Sequence, residues 1–183
     1  MMARMLDPAA GILLIACFVL LFATAAIHKL RDLPRFTEVL RAYRLLPDRA
    51  APLAPLVPLL ESSVAVGLLT PAARVPAAAA GAVLLLAYAG GIAVNLARGR
   101  RDLACGCGGP DEARPIAPWM LVRNLLLAAL LAAVLAPWQP RALVATDALT
   151  IGAGAAVAAL LYMSLDRLLG RVVPRTAVLR GPR

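Results

Sequence analysis

Histidine occurs once in the 183 residues, at His28, and cysteine only at Cys17, Cys105 and Cys107. A full thiolate- or imidazole-rich zinc set is therefore absent. That weakens a metal reading and leaves a soft two-thiolate Cu(I) site open; no metal ligand is assigned. Lysine also occurs once: Lys29 stands alone among nineteen basic residues. With so much alanine, leucine and arginine, that reads as the coding bias of a GC-rich bacterial genome. Charged residues make up only 16% of the chain, whereas 62% is hydrophobic and mean hydropathy is +0.81. A soluble core of this length cannot absorb so much apolar surface, so lipid must solvate part of it. The formal charge of +9 would raise nucleic-acid binding in a soluble protein. Here the basic residues lie between and beside apolar runs, where membrane topology places them, so no nucleic-acid partner is expected.

What is present is a series of apolar runs about 20 residues long, the length that crosses a bilayer. The expectation is an all-α, polytopic transmembrane bundle forming one membrane domain over residues 1–166. Its spans fall near 8–27, 52–70, 75–96, 118–138 and 142–165, with a basic tail over 167–183. The first run is read as a retained span rather than a signal peptide, because Lys29, Arg31 and Arg35 follow it. Between the first two spans, Leu33, Phe36, Val39, Leu40, Tyr43 and Leu46 recur at helical spacing opposite Arg35, Glu38, Arg41 and Arg44. That predicts an interfacial amphipathic helix over 33–46, capped by Asp32, with Pro34 early and Pro47 after its end. Gly90-Gly91 is expected to break the third span. Trp119 and Trp138 are expected to anchor the fourth at the interfaces. Gly152/Ala156 and Gly154/Ala158 permit close packing of the fifth. Basic residues concentrate after the first and third spans and in the tail, leaving Arg4, Arg74 and Arg141 opposite. The positive-inside rule then puts the N-terminus outside, and the tail and the cysteine loop in the cytoplasm of a bacterial plasma membrane.

Five residues are candidates for chemistry. Cys105 and Cys107 form a Cys-Gly-Cys pair in a glycine-rich loop. A disulfide across one residue closes a small, strained ring, which favours exchange over structural stapling. Neighbouring arginines favour the thiolate, although Asp102, Asp111 and Glu112 offset most of that charge. Inert loop thiols are the plain alternative. Glu61 lies inside an apolar span, where a carboxylate costs about 2.5–3.5 kcal/mol on insertion scales and normally faces the bundle interior with a partner. It would serve proton transfer, contact a quinone or substrate, or simply pair with another helix. Arg123, within the first turns of the fourth span, is the expected partner. His28, at the end of the first span, could donate to a headgroup or a cofactor carbonyl. Cys17 reads as a small buried hydrophobe.

The run His28-Lys29-Leu30-Arg31-Asp32, Phe36 and Tyr43-Arg44-Leu45-Leu46-Pro47 resembles the entry segment of the MauE (methylamine utilisation) family, a DoxX-like group of redox-associated membrane proteins. Glu61, the Arg98–Leu103 stretch before Cys105-Gly106-Cys107, and Trp119 with Leu121-Val122-Arg123-Asn124 resemble further parts of that pattern. The likeness covers about residues 11–137. Gly108 departs from it, since an aromatic usually follows the second cysteine. The resemblance implies a four-helix DoxX-like core, here followed by a fifth span. It also implies thiol–disulfide electron transfer at the membrane with a thioredoxin-like partner, for a disulfide-rich client such as methylamine dehydrogenase or a relative. Quinone is the electron acceptor it would suggest. A non-enzymatic assembly factor is the alternative, and a small transporter or metal carrier a third. Oxidative folding happens outside, whereas the charge count puts the cysteines inside. Either the loop serves a cytoplasmic partner, or it dips into the bundle, or electrons cross between the faces.

Overall fold

The computed structural model describes residues 5–104 and 115–172. Among them are six α-helices: α1 (Pro8–Arg31), α2 (Leu33–Ala42), α3 (Leu56–Leu69), α4 (Arg74–Ala97), α5 (Pro118–Ala132) and α6 (Ala145–Val172). All but α2 belong to segments long and apolar enough to cross a bilayer: Pro8–Arg31, Arg49–Leu69, Pro71–Ala97, Pro118–Leu135 and Ala145–Leu169. Large side chains such as Val66, Val83, Leu126, Leu149 and Leu160 stand outward and exposed. That surface suits lipid and fits a multi-pass membrane protein.

The core follows from one apolar stripe per helix. Ile15, Phe18 and Phe22 of α1 meet Val64 and Leu68 of α3, Ala78 and Leu85 of α4, and Ala128 and Leu131 of α5. Gly81 makes this approach possible. A Cβ there would lie 2.8 Å from Leu131 Cδ2, 3.0 Å from Val64 Cγ1 and 3.1 Å from Phe22 Cε2. The fifth span, α6, packs on α1, with Leu13 seated against Gly154. Only one of the two expected small-residue pairs is used this way, because Gly152 faces open space.

The helix ends differ from expectation in instructive ways. α1 continues past Ile27 to Arg31, and Asp32 then both ends it and caps α2, accepting from the Arg35 amide at 3.2 Å. α2 stops at Ala42 rather than Leu46, because Arg44 adopts a left-handed φ of 49°, a conformation that breaks a helix of L-residues. Gly90 and Gly91 do not break α4, which is continuous; Gly91 instead seats Leu45 and Tyr43. α6 runs six residues beyond 166, to Val172. Residues 173–183 of the expected tail lie outside the described residues.

At the end of the bundle bearing Arg74 and Arg141, the chain is pinned to its own start. The Leu6 amide donates to the Pro137 carbonyl at 2.8 Å, and Gln139 donates back to Leu6 at 2.9 Å. Arg141 bridges Asp7 and Asp147. Trp138, expected to anchor at the interface, turns inward. Its ring lies over the Arg74 guanidinium and against Gly11, and its Nε1 donates to the Val134 carbonyl.

Candidate functional site

The opposite, arginine-rich end holds the polar interior of the protein. On α1 the buried stripe Ile15, Phe18, Phe22, Ala26 continues for one more step to Lys29. On α3 the stripe Pro58, Glu61, Val64, Ala65, Leu68 carries Glu61 inward. Because α1 ends where α3 begins, these two positions lie at one level. Lys29 Nζ and Glu61 Oε1 form an ion pair at 2.7 Å, with side chains 4% and 1% exposed. Tyr88 of α4 donates its hydroxyl to the same oxygen, also at 2.7 Å. The Lys29 ammonium lies 5.5 Å from the Tyr88 ring centroid and 5.6 Å from that of Phe36 on α2. Both contacts are within cation–π range. α2 therefore lays an aromatic lid across the pair.

The second carboxylate oxygen, Glu61 Oε2, is buried without a hydrogen-bond partner. A buried acceptor left unmade costs about 1–3 kcal/mol. Chemically it is an acceptor held open beside an ammonium. It can take a proton or a hydrogen bond from a group brought to it.

Arg123 is not the partner of Glu61. It pairs with Asp166 of α6 at 2.7 Å and lies over the Trp119 and Tyr162 rings. Helical register gives the reason. The inward face of α5 is Met120, Asn124, Ala128 and Leu131, and Arg123 is rotated one residue off it toward α6. His28 is half-buried in the last turn of α1, one position round the helix from Lys29. Cys17 is a half-buried free thiol.

Cys105 and Cys107 lie outside the described residues, but both roots of their loop are described. α4 ends in a paired turn. The Arg100 amide donates to the Asn95 carbonyl and the Gly99 amide to the Leu96 carbonyl, each at 3.0 Å, with Gly99 at φ 72°. This Schellman arrangement needs a left-handed residue, which glycine supplies. Arg100 then donates to Asn95 Oδ1 at 3.1 Å and to the Ala42 carbonyl at 2.7 Å, tying the segment to the end of α2. Ala104 and Pro115 form an isolated antiparallel bridge, with the Ile116 amide donating to the Leu103 carbonyl at 2.9 Å. Leu103 and Ile116 are packed with Tyr43, Ile92 and Met120 in one buried cluster. The loop thus leaves the bundle at the end that holds the ion pair. Ile92, which holds its root, is four residues, or about one helical turn (roughly 6 Å), along α4 from Tyr88.

Sequence reasoning missed Lys29 and Tyr88. From the sequence Lys29 reads only as charge flanking a span, and nothing local singles out Tyr88. The available signal was spacing: Lys29 follows Phe22 by seven and Ala26 by three, which keeps it on the inward face once the helix is extended.

These features define a class: a multi-pass helical membrane protein with a buried ion pair beneath an amphipathic surface helix. The chain belongs to the MauE family, matching Methylamine utilisation protein MauE over residues 7–139. It is 42% identical over 163 residues to the methylamine utilization protein MauE of Paracoccus denitrificans, covering 86% of each chain. It is 37% identical over 167 residues to that of Methylophilus methylotrophus, covering 90% of this chain and 88% of that one. It is 38% identical to that of Methylorubrum extorquens over 145 residues, 77% of each. No solved structure matches.

Proposed function

We propose that the protein is a membrane thiol–disulfide exchange component serving maturation of a partner enzyme of the methylamine dehydrogenase type. The observation that carries this reading is the anchoring of the Cys105–Cys107 loop: both its roots share a buried cluster with Ile92, about one turn along α4 from Tyr88, which bonds Glu61. In the exchange, a partner dithiol of thioredoxin-like class gives two electrons and two protons to a Cys105–Cys107 disulfide. One sulfur–sulfur bond breaks here and one forms in the partner. Reoxidation of the Cys105–Cys107 dithiol passes two electrons and two protons to an acceptor, for which quinone is the class named. Glu61, with Oε2 open, is the group suited to hold a proton during that return. Lys29 and Tyr88 keep the carboxylate in place, and Arg123 positions α6. By the positive-inside rule, the arginine-rich end faces the bacterial cytoplasm and the N-terminus faces out.

Differential alkylation in membranes tests the reading. Cys105 and Cys107 should change oxidation state together when oxidant or reductant is added, and Cys105→Ser should leave partner thiols reduced. Two cysteines that stay reduced under oxidant, with partner thiols unaffected by Cys105→Ser, would refute it. Maturation surviving the double serine change would instead favour a non-enzymatic assembly factor.

A further inference from the structure

The arginine-rich end carries a band of exposed cations that the thiol chemistry does not use. Arg31 closes α1, Arg41 lies in the last turn of α2, Arg44 and Arg49 follow it, and Arg98 and Arg101 flank the end of α4; all are exposed. By sequence, the four carboxylates Asp32, Glu38, Asp48 and Asp102 are too few to neutralise these six arginines, and Asp166 is taken by Arg123. The same band holds exposed leucines: Leu30 beside Arg31, Leu45 and Leu46 directly after Arg44, and Leu53 and Leu56 after Arg49, each 42–56% exposed. A soluble anion or an acidic protein satisfies only the arginines, and a neutral lipid only the leucines. An anionic phospholipid covers both, with its phosphate on the guanidinium groups and its acyl chains on the leucines.

We propose that this band, centred on α2, is a binding surface for anionic phospholipid. α2 buries no residue fully, and its end is held by Arg100 on the Ala42 carbonyl and by Arg98 on the Arg44 carbonyl at 3.3 Å. Bound lipid therefore supplies part of what keeps α2, and Phe36 on it, over the Lys29–Glu61 pair.

The test uses the purified full chain in detergent. It is offered equal phosphatidylglycerol and phosphatidylcholine, and retained lipid is read by native mass spectrometry. A basic side chain near an anionic surface contributes about fivefold in affinity. The triple change Arg31→Gln, Arg41→Gln, Arg44→Gln should therefore lower phosphatidylglycerol retention by about tenfold or more and leave phosphatidylcholine unchanged. Equal retention by the variant overturns the proposal. Displacement of the lipid by inorganic phosphate also overturns it, assigning a free-anion site, and displacement by an acidic peptide assigns a protein-docking face. Salt on the unaltered chain gives a reading independent of the variant's folding. Raising it from about 0.05 M to about 0.5 M shortens the screening length about threefold and should erase the preference for phosphatidylglycerol. A preference that survives salt overturns the proposal.

Discussion

Replacing Lys29 by methionine is the sharpest probe of the buried pair. Methionine keeps much of the side-chain stem, so packing changes little while the ammonium is lost. Glu61 then keeps one donor, Tyr88, and one oxygen that already has none. Removing one partner of a buried ion pair costs about 3–5 kcal/mol, and a lone carboxylate in a bilayer costs about 2.5–3.5 kcal/mol on insertion scales. Losing the ammonium from the Phe36 and Tyr88 rings accounts for about 0.5–2 kcal/mol of that cost. A destabilisation of about 3–5 kcal/mol is expected for Lys29→Met. In the double variant Lys29→Met, Glu61→Leu the stranded charge is gone and only the Tyr88 hydroxyl is left unpaired. Recovery of about 2–4 kcal/mol relative to the sum of the single changes should follow. Reversible unfolding in mixed micelles, run as a double-mutant cycle, measures this. Tyr88→Phe sets the scale for losing one hydrogen bond to the carboxylate while its ammonium partner stays, about 1.5–3 kcal/mol. Additive single changes, or a Lys29→Met cost no larger than that of Tyr88→Phe, would refute the ion pair as the organising contact.

Gly81→Leu should destabilise the bundle by about 1–3 kcal/mol or more through overpacking against Leu131, Val64 and Phe22. Gly90→Ala, where nothing lies within 4 Å, should be neutral or stabilising by up to about 1 kcal/mol; thermal unfolding of the two separates a seat from a spacer. Gly99→Ala forces a side chain onto φ 72° and should cost about 1 kcal/mol. Alkylation rates at Cys105 and Cys107 should change with it, because the residue aims the root of their loop. Arg141 holds the Asp7 carboxyl below its ordinary value of 3.8. A depressed carboxyl contributes stability that is complete above the ordinary value and is lost as pH falls through the folded one. Unfolding followed from pH 5 downward should therefore show an acid-labile component below about pH 4, and Asp7→Asn should reduce it, because Asp147 shares the same guanidinium.

Much of this architecture was legible from run length and period. The apolar runs are long enough to span, and helices in lipid must satisfy their backbone internally, so length alone nearly fixes the element type. Asp32 and Pro34 announce the start of α2 for equally local reasons. What stayed hidden depends on rotation between helices. A residue's depth can be counted along the chain, but its facing needs the register of every neighbour. Arg123 and Glu61 looked compatible in depth, yet Arg123 sits one position away from Asn124 on α5, which turns it to Asp166. Lys29 looked like a flanking charge because the span was closed at Ile27. One further turn of helix places it on the face of Phe22 and Ala26. Trp138 was hidden for another reason. Its inward turn depends on Leu6 pairing with residues 137 and 139, a contact across most of the chain that no local pattern encodes.

The same register logic joins the two halves of the site. Tyr88, Ile92 and Asn95 follow one another at steps of four and three, so they occupy one face of α4, and Gly99 follows its last turn. Each makes a different connection. Tyr88 bonds Glu61, Ile92 packs with Leu103 and Ile116, Asn95 receives Arg100, and Gly99 ends the helix. A helix is stiff over this distance, so the buried pair and the root of the thiol loop share one rod. Displacing Leu103 from Ile92 uncovers buried apolar surface, while pulling on Arg100 strains its bonds to Asn95 and to the Ala42 carbonyl. The second of these is felt by α2, whose Phe36 covers Lys29. A partner that engages the cysteine loop therefore has a direct route of contacts to the cover over Glu61, and that route runs through Arg100. Arg100→Gln should accordingly raise hydrogen exchange in α2 while leaving that in the middle of α1 and α3 unchanged, whereas uniform exchange across the bundle would dissociate the loop from the buried pair.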